Sequence, residues 1–137
     1  MAQFMLDTNI CIYLMKNQPP VVAERLGQCL VGDVVMSAIT FAELEYGALT
    51  SAHPLAHRRS LASIIQSIPV VAFDASAAIA YAPIRQATHH RKRDQLDKLI
   101  AAHAIALGVT LVTNNAKDFA AYPGVRIENW LDERDEC

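Results

Sequence analysis

FMLDTN, residues 4–9, is an apolar run that halts at a single carboxylate and is followed at once by further apolar residues, Ile10, Ile12, Tyr13 and Leu14. A short run of this kind, closed by turn-forming residues, reads as a buried strand that feeds directly into a helix. Working outward, the runs QFML (3–6), DVVMS (33–37), PVVAF (69–73), VTLVT (109–113) and VRIEN (125–129) are the strand candidates. Between them, helical spacing covers stretches near 8–15, 20–30, 40–51, 55–68, 75–90 and 94–107, with a kink expected at Pro83, whose nitrogen cannot donate. Strands alternating with helices of this length imply right-handed crossovers and a mainly parallel sheet covered on both faces. The expected architecture is a three-layer α/β/α sandwich, in which ligands bind beyond the carboxyl ends of the strands. Asp7 sits at that edge.

The chain of 137 residues is 53% hydrophobic and 19% charged, the balance of one globular domain spanning 1–137 that needs no staple. Cys11, Cys29 and Cys137 are odd in number and widely spaced, which argues against a disulfide framework or zinc knuckle and for a reducing cytoplasm. No run approaches the roughly 18 apolar residues of a membrane span, and no signal peptide is expected. The formal net charge of −2 excludes a global basic footprint, so a polyanion would have to be held locally. The cations do cluster, in His89, His90, Arg91, Lys92 and Arg93, while the tail from about 131 to 137 is acidic.

Each prominent carboxylate has a structural reading. Asp7 can cap the helix that follows it. Thr40 and Glu43 have the T-x-x-E spacing of a capping box, and Asp94 and Asp97 can be the N-cap and N3 residues of the next helix. Their joint placement points elsewhere. Asp7 ends a strand, Glu43 lies in the first turn after DVVMS, Asp97 opens the helix that feeds VTLVT, and TNNAKDF brings Asn114, Asn115 and Asp118 to the same edge. Like charges crowded together raise a pKa unless a cation joins them. Mg²⁺ suits scattered carboxylates, because it binds through one or two of them and keeps several waters. On the last long helix Leu96, Leu99, Ile100, His103 and Leu107 form an apolar stripe, and Ala101 and Ala104 leave the face of Asp97 free to approach the sheet. His103 reads as a satisfied buried histidine.

Other constellations are weak. His53 and His57 lack the HExxH context of a zinc site, and the five glycines form neither GxGxxG nor a phosphate-cradling loop. The run HHRKRD is commonly a solvated loop, but its place just before Asp97 would let Arg91, Lys92 and Arg93 grip a phosphate backbone, with Arg58, Arg59 and Arg85 as possible extensions.

With FMLDTN, the AEL ending at Leu44, DKLIAAHA, VTNNAKDF and the closing IENW in order, the chain resembles the PIN-domain ribonucleases, specifically the VapC-type toxins of VapBC toxin–antitoxin pairs. The resemblance runs nearly end to end. It implies a Mg²⁺- or Mn²⁺-dependent endoribonuclease acting on a structured RNA such as tRNA, with Asp7 and Asp97 as metal ligands and Glu43 as the third acid. Asn115 departs from the aspartate common at its position, and Asp118, one turn on, matches another acidic position, giving a catalytic set of Asp7, Glu43, Asp97 and Asp118. Thr8, Asn9, Thr113 and Asn115 are expected to orient the ligands. The resemblance further implies a homodimer silenced by a VapB-type antitoxin, for which Val21, Val22, Leu26, Leu30, Tyr46 and Leu49 are candidate docking residues. The alternative is a receiver-like signalling domain with Asp74 as phosphoacceptor, a reading that leaves Glu43 and Asp97 without a task.

Overall fold

Strand β1 (Phe4–Leu6) occupies the centre of a five-stranded sheet whose order is β3-β2-β1-β4-β5, with β2 at Val34–Ser37, β3 at Val70–Val71, β4 at Thr110–Val112 and β5 at Ile127–Glu128. Every neighbouring pair is parallel: Phe4 registers with Val34 and Thr110, Met36 with Val70, and Leu111 with Ile127. This computed structural model describes residues 1–131, so Cys137 and the acidic tail past Leu131 lie outside the described residues.

The two-residue period of the strands sorts the core into two halves. Leu6, Val34, Met36 and Val112 pack with Ile10, Cys11 and Leu14 of α1 (Thr8–Lys16), Val22 of α2 (Pro20–Gly27), Leu44 of α3 (Ala38–Leu49) and Leu61 of α4 (Pro54–Ser67). Met5, Val35 and Leu111 point the other way, toward Ile84 of α5 (Ala75–Ala87), Ile100, Ala101 and Ala104 of α6 (Gln95–Leu107) and Phe119 of α7 (Ala116–Phe119). The expected three layers are therefore present. No helix among the described residues is long and apolar enough to cross a membrane.

The strands and long helices fall within a few residues of their expected positions, and the differences have local causes. Helix α3 starts at Ala38, because Ser37 Oγ accepts the Ile39 N–H at 3.0 Å and acts as its cap. Thr40 and Glu43 therefore form no capping box, and Glu43 stands in the second turn rather than the first. Helix α5 continues through Pro83; the carbonyl deprived of its partner belongs to Ile79, which is exposed to water. The four-residue α7 was not anticipated, being too short to carry a period.

On α6 the buried face is Lys98 and Ile100 through Ala104, while Leu96 and Leu107 at the ends of the expected stripe are largely exposed. The helix is pressed against α5 as well as the sheet, so its buried sector is wider than one stripe. Ala101 and Ala104 are fully buried, consistent with a close approach of this helix to the strands. It ends where Gly108 adopts a left-handed conformation at φ 71°.

Asp74 closes the account of the fold. Its side chain accepts the Ala77 N–H at 3.0 Å and caps α5, which removes the reason for treating it as a phosphoacceptor. Asp74→Ala is expected to lower stability by about 1 kcal/mol and Asp74→Asn to change it little, as read from urea unfolding.

Candidate active site

Parallel strands end together, so the segments leaving β1, β2 and β4 emerge along one edge of the sheet. Asp7 is the first residue past β1. Its N–H donates to Val112 O at 3.0 Å, and its carboxylate accepts the Ile10 N–H at 3.0 Å, capping α1. The capping reading of this residue is correct and incomplete, since a cap has no need of burial. Asp7 is only 5% exposed, and desolvation raises its pKa to about 6, with the charge of Glu43 adding to the rise and the Thr113 hydroxyl and the Ile10 and Asn9 N–H groups opposing it.

Asp97 occupies the N3 position of α6 and is half-buried. Its pKa is also pushed up to about 6, first by burial and then by the charges of Asp7, Glu43, Asp94 and Asp118. These acids belong to four separate parts of the chain, and each lies near enough to be felt at one carboxylate. The acids expected at this edge thus act on one carboxylate through their charge.

Glu43 reaches the edge from α3, where its Oε1 accepts the Thr8 hydroxyl, with Thr40 Oγ1 3.4 Å from the same hydroxyl. Thr113, fully buried, accepts the Asn115 N–H at 2.9 Å, and Asn115 Nδ2 donates to Asp118 Oδ2 at 2.9 Å. Asn9 faces solvent and contributes through its backbone. Asn114 turns aside, donating to Tyr13 OH at 2.7 Å. His103 is buried as expected but only half satisfied: Nδ1 lies 2.7 Å from Ser37 Oγ and the ring is edge-on to Phe73, whereas Nε2 has no hydrogen-bond partner among the described residues, and burial lowers its pKa.

An open cleft of about 490 Å³ borders Asp97 and Asp118 and is walled by Arg91, Lys92 and Arg93. The basic run thus lies beside the acids, as its place in sequence suggested, but its three cations are not equivalent. Arg91 folds inward, with Nε 3.1 Å from Asp94 Oδ2 and Nη1 donating to Asp118 O at 3.1 Å. Lys92 and Arg93 are exposed and pair with no acid among the described residues. Sequence reasoning passed over Lys98 and Tyr122, which hold this wall. The i,i+4 spacing of Asp94 and Lys98 was a visible signal for the former, whereas nothing local marked Tyr122.

Among the described residues no three His, Cys, Asp or Glu side chains come together closely enough to hold a metal ion between them. What remains is the buried Asp7, with hydroxyl and amide groups around it, and the half-buried Asp97, which borders the open cleft. An open donor set made of oxygen fits a hydrated hard cation such as Mg²⁺ and does not fit structural zinc.

The sequence profile of the PIN domain matches residues 4–125. The chain is 40% identical over 134 residues to the "tRNA(fMet)-specific endonuclease VapC" of Shigella flexneri, an alignment spanning 95% of this chain and 99% of that protein. Its fold is similar to the toxin in DNA-bound VapBC from Salmonella typhimurium, at TM-score 0.87 and 38% identity over 95% of this chain and 99% of that one. It is likewise similar to VapBC2 from Rickettsia felis bound to a promoter DNA fragment, at TM-score 0.85 and 33% identity over 93% and 98% of the two chains.

The raised pKa values have a consequence for stability in metal-free buffer. The folded protein holds these protons more tightly than the unfolded chain, whose aspartates titrate near 3.9, so the stabilisation is complete below about pH 4 and is lost as pH rises through about 6. Thermal melts in chelator should show a lower Tm at about pH 7.5 than at about pH 5. Asp7→Asn keeps the cap to Ile10, removes the buried charge, and should shrink that difference; an undiminished difference in this variant would contradict the assignment.

Proposed function

This chain belongs to the PIN-domain family, in its VapC branch, and on that premise we propose that it is a metal-dependent endoribonuclease whose substrate is a structured RNA of the tRNA class. One observation carries the reading: the carboxyls of buried Asp7 and half-buried Asp97 are both pushed up to about 6, first by burial and then by the charges of neighbouring acids. A divalent cation compensates those charges.

Asp7 and Asp97 are the residues that would hold Mg²⁺ or Mn²⁺, and the bound ion would polarise a water and offset charge on the phosphodiester. The rest of the chemistry falls to the chain itself. Glu43, its carboxylate steadied by the Thr8 hydroxyl, accepts the proton of the attacking water. Thr113 keeps Asp7 oriented through its hydroxyl and fixes the turn to Asn115 through the 2.9 Å bond from that residue's N–H. Asn115 anchors Asp118, so the neutral residue at the familiar acidic position orients an acid one turn later. Asp118 is exposed at the mouth of the cleft, where it can act on the leaving side of the phosphate through water.

The relatives crystallised as VapBC complexes support a VapB-type antitoxin as the partner. Of the docking residues expected, Val22 is buried in the core and Val21 and Leu26 are partly so, while Leu30, Tyr46 and Leu49 are 77%, 69% and 74% exposed. The second group provides the apolar surface that such a partner would cover.

Purified protein incubated with total bacterial RNA should generate discrete new 5′ ends in Mg²⁺ or Mn²⁺ and none in chelator. Glu43→Gln should reduce cleavage by about 10²-fold or more while its melting temperature without metal stays level or rises. Full activity in Glu43→Gln would remove Glu43 from the mechanism. Either ion should also raise the Tm of the parent at neutral pH, and much less that of Asp7→Asn.

A further inference from the structure

A lysine that is fully buried, as Lys98 is, requires a reason, because an uncompensated ammonium inside a protein costs several kcal/mol. Its Nζ donates to Thr88 O at 3.0 Å and Arg91 O at 2.8 Å, and lies 3.3 Å from Asp94 Oδ1. Asp94, 9% exposed, accepts the Tyr122 hydroxyl at 2.6 Å and pairs with Arg91 Nε at 3.1 Å through its other oxygen. The Arg91 guanidinium stacks 5.1 Å from the centre of the Tyr122 ring and donates to Asp118 O. Burial opposes the charge on Asp94, but Tyr122, Lys98 and Arg91 outweigh it and hold this acid below the usual carboxylate range.

These groups tie together three pieces of chain that no secondary structure joins: the turn 88–94, the first turn of α6, and the segment after α7. The lysine spends two of its donors on carbonyls of the turn itself, which fixes the backbone path of residues 88–91. Lys92 and Arg93 are thereby left as the outward pair on the cleft that contains Asp97 and Asp118. The buried assembly holds two cations to one anion, so its field adds to that of the exposed pair instead of cancelling it.

We propose that this network is a positioning device for RNA: Lys98, Asp94, Arg91 and Tyr122 preset the turn 88–94 as a rigid cationic wall, and Lys92 and Arg93 on it take phosphates of the strand that crosses the acidic pocket. The inference rests on the RNA-cleaving reading of that pocket. It assigns affinity and register to a set of residues that touch neither metal nor reacting atoms. A preset wall loses less entropy on binding than a mobile loop bearing the same charges.

The test uses the non-cleaving Glu43→Gln protein as parent and bulk tRNA as probe, with Kd measured across a series of salt concentrations. Each phosphate contact contributes about 0.7 to 0.9 to the slope of log Kd against log salt, so Lys92→Ala with Arg93→Ala should flatten it by about 1.4 to 1.8. Tyr122→Phe removes one hydroxyl and keeps the ring beneath Arg91, and Asp94→Asn keeps the shape and the acceptor. Tyr122→Phe, which changes no charge, is expected to weaken binding several-fold, to lower the same slope, and to speed hydrogen exchange of amides 88–94 in the free protein; Asp94→Asn, which also removes a negative charge, is read by hydrogen exchange alone and should speed it likewise. Asp74→Ala, which loses a helix cap outside the network, serves as the control for general destabilisation and should leave Kd and slope unchanged. Faster exchange in Tyr122→Phe with Kd and slope equal to the parent's would overturn the proposal and leave the nuclease reading intact. A parent that fails to bind tRNA at any salt would take both down together.

Discussion

Two aspartates taken out of water within reach of each other's charge form the constraint around which the domain is arranged. Much of what places them there also opposes them: the sheet that buries Asp7, the partial burial of Asp97, and the approach of Glu43 from a third element. The chain makes this tolerable by local means, through main-chain N–H groups at helix starts, the Thr113 hydroxyl and the favourable end of each helix dipole, but those donors leave a pKa near 6 and thus an unsettled balance at neutral pH. A site held in that state is prepared for an oxygen-seeking cation.

The parallel topology is what makes such an arrangement affordable in so short a chain. Five strands running one way, with β1 in the middle, deliver their C-terminal ends to one edge, and each crossover helix begins there. Asp7, Ser37 and Asp74 show the same local event three times, a strand leading into a helix whose first N–H groups are capped by the residue at the junction. Only the first of these puts a buried acid at the junction: Ser37 is equally buried but neutral, and Asp74 is exposed.

This repetition explains what could be read in the sequence and what could not. The strands at FML and TLV, the helix across DKLIAAHA and the convergence of Asp7, Glu43 and Asp97 follow from period and order, which are local and visible. The capping box at Thr40 and Glu43 was misleading, because Ser37 offers the same chemistry three residues earlier and the strand end decides between them. Arg91 was counted with its neighbours as a surface cation, although Asp94 and Tyr122 draw it inward; the latter partner lies 31 positions away in the chain, and no spacing rule reaches that far. For Lys98 the i,i+4 spacing to Asp94 is legible, but its burial is not, since its other acceptors are carbonyl groups that every sequence possesses and none advertises.

The outer strands of the sheet are its shortest. Val70–Val71 on one side and Ile127–Glu128 on the other present two residues each, and the second carries a glutamate held by Arg25 at 2.8 Å and by the Trp130 indole N–H at 2.9 Å. Flanks so brief offer an incoming extended segment almost no ladder to continue, and one of them is charged. Sheet growth from either flank is therefore disfavoured, and with it the fibril-like stacking of one molecule on the next.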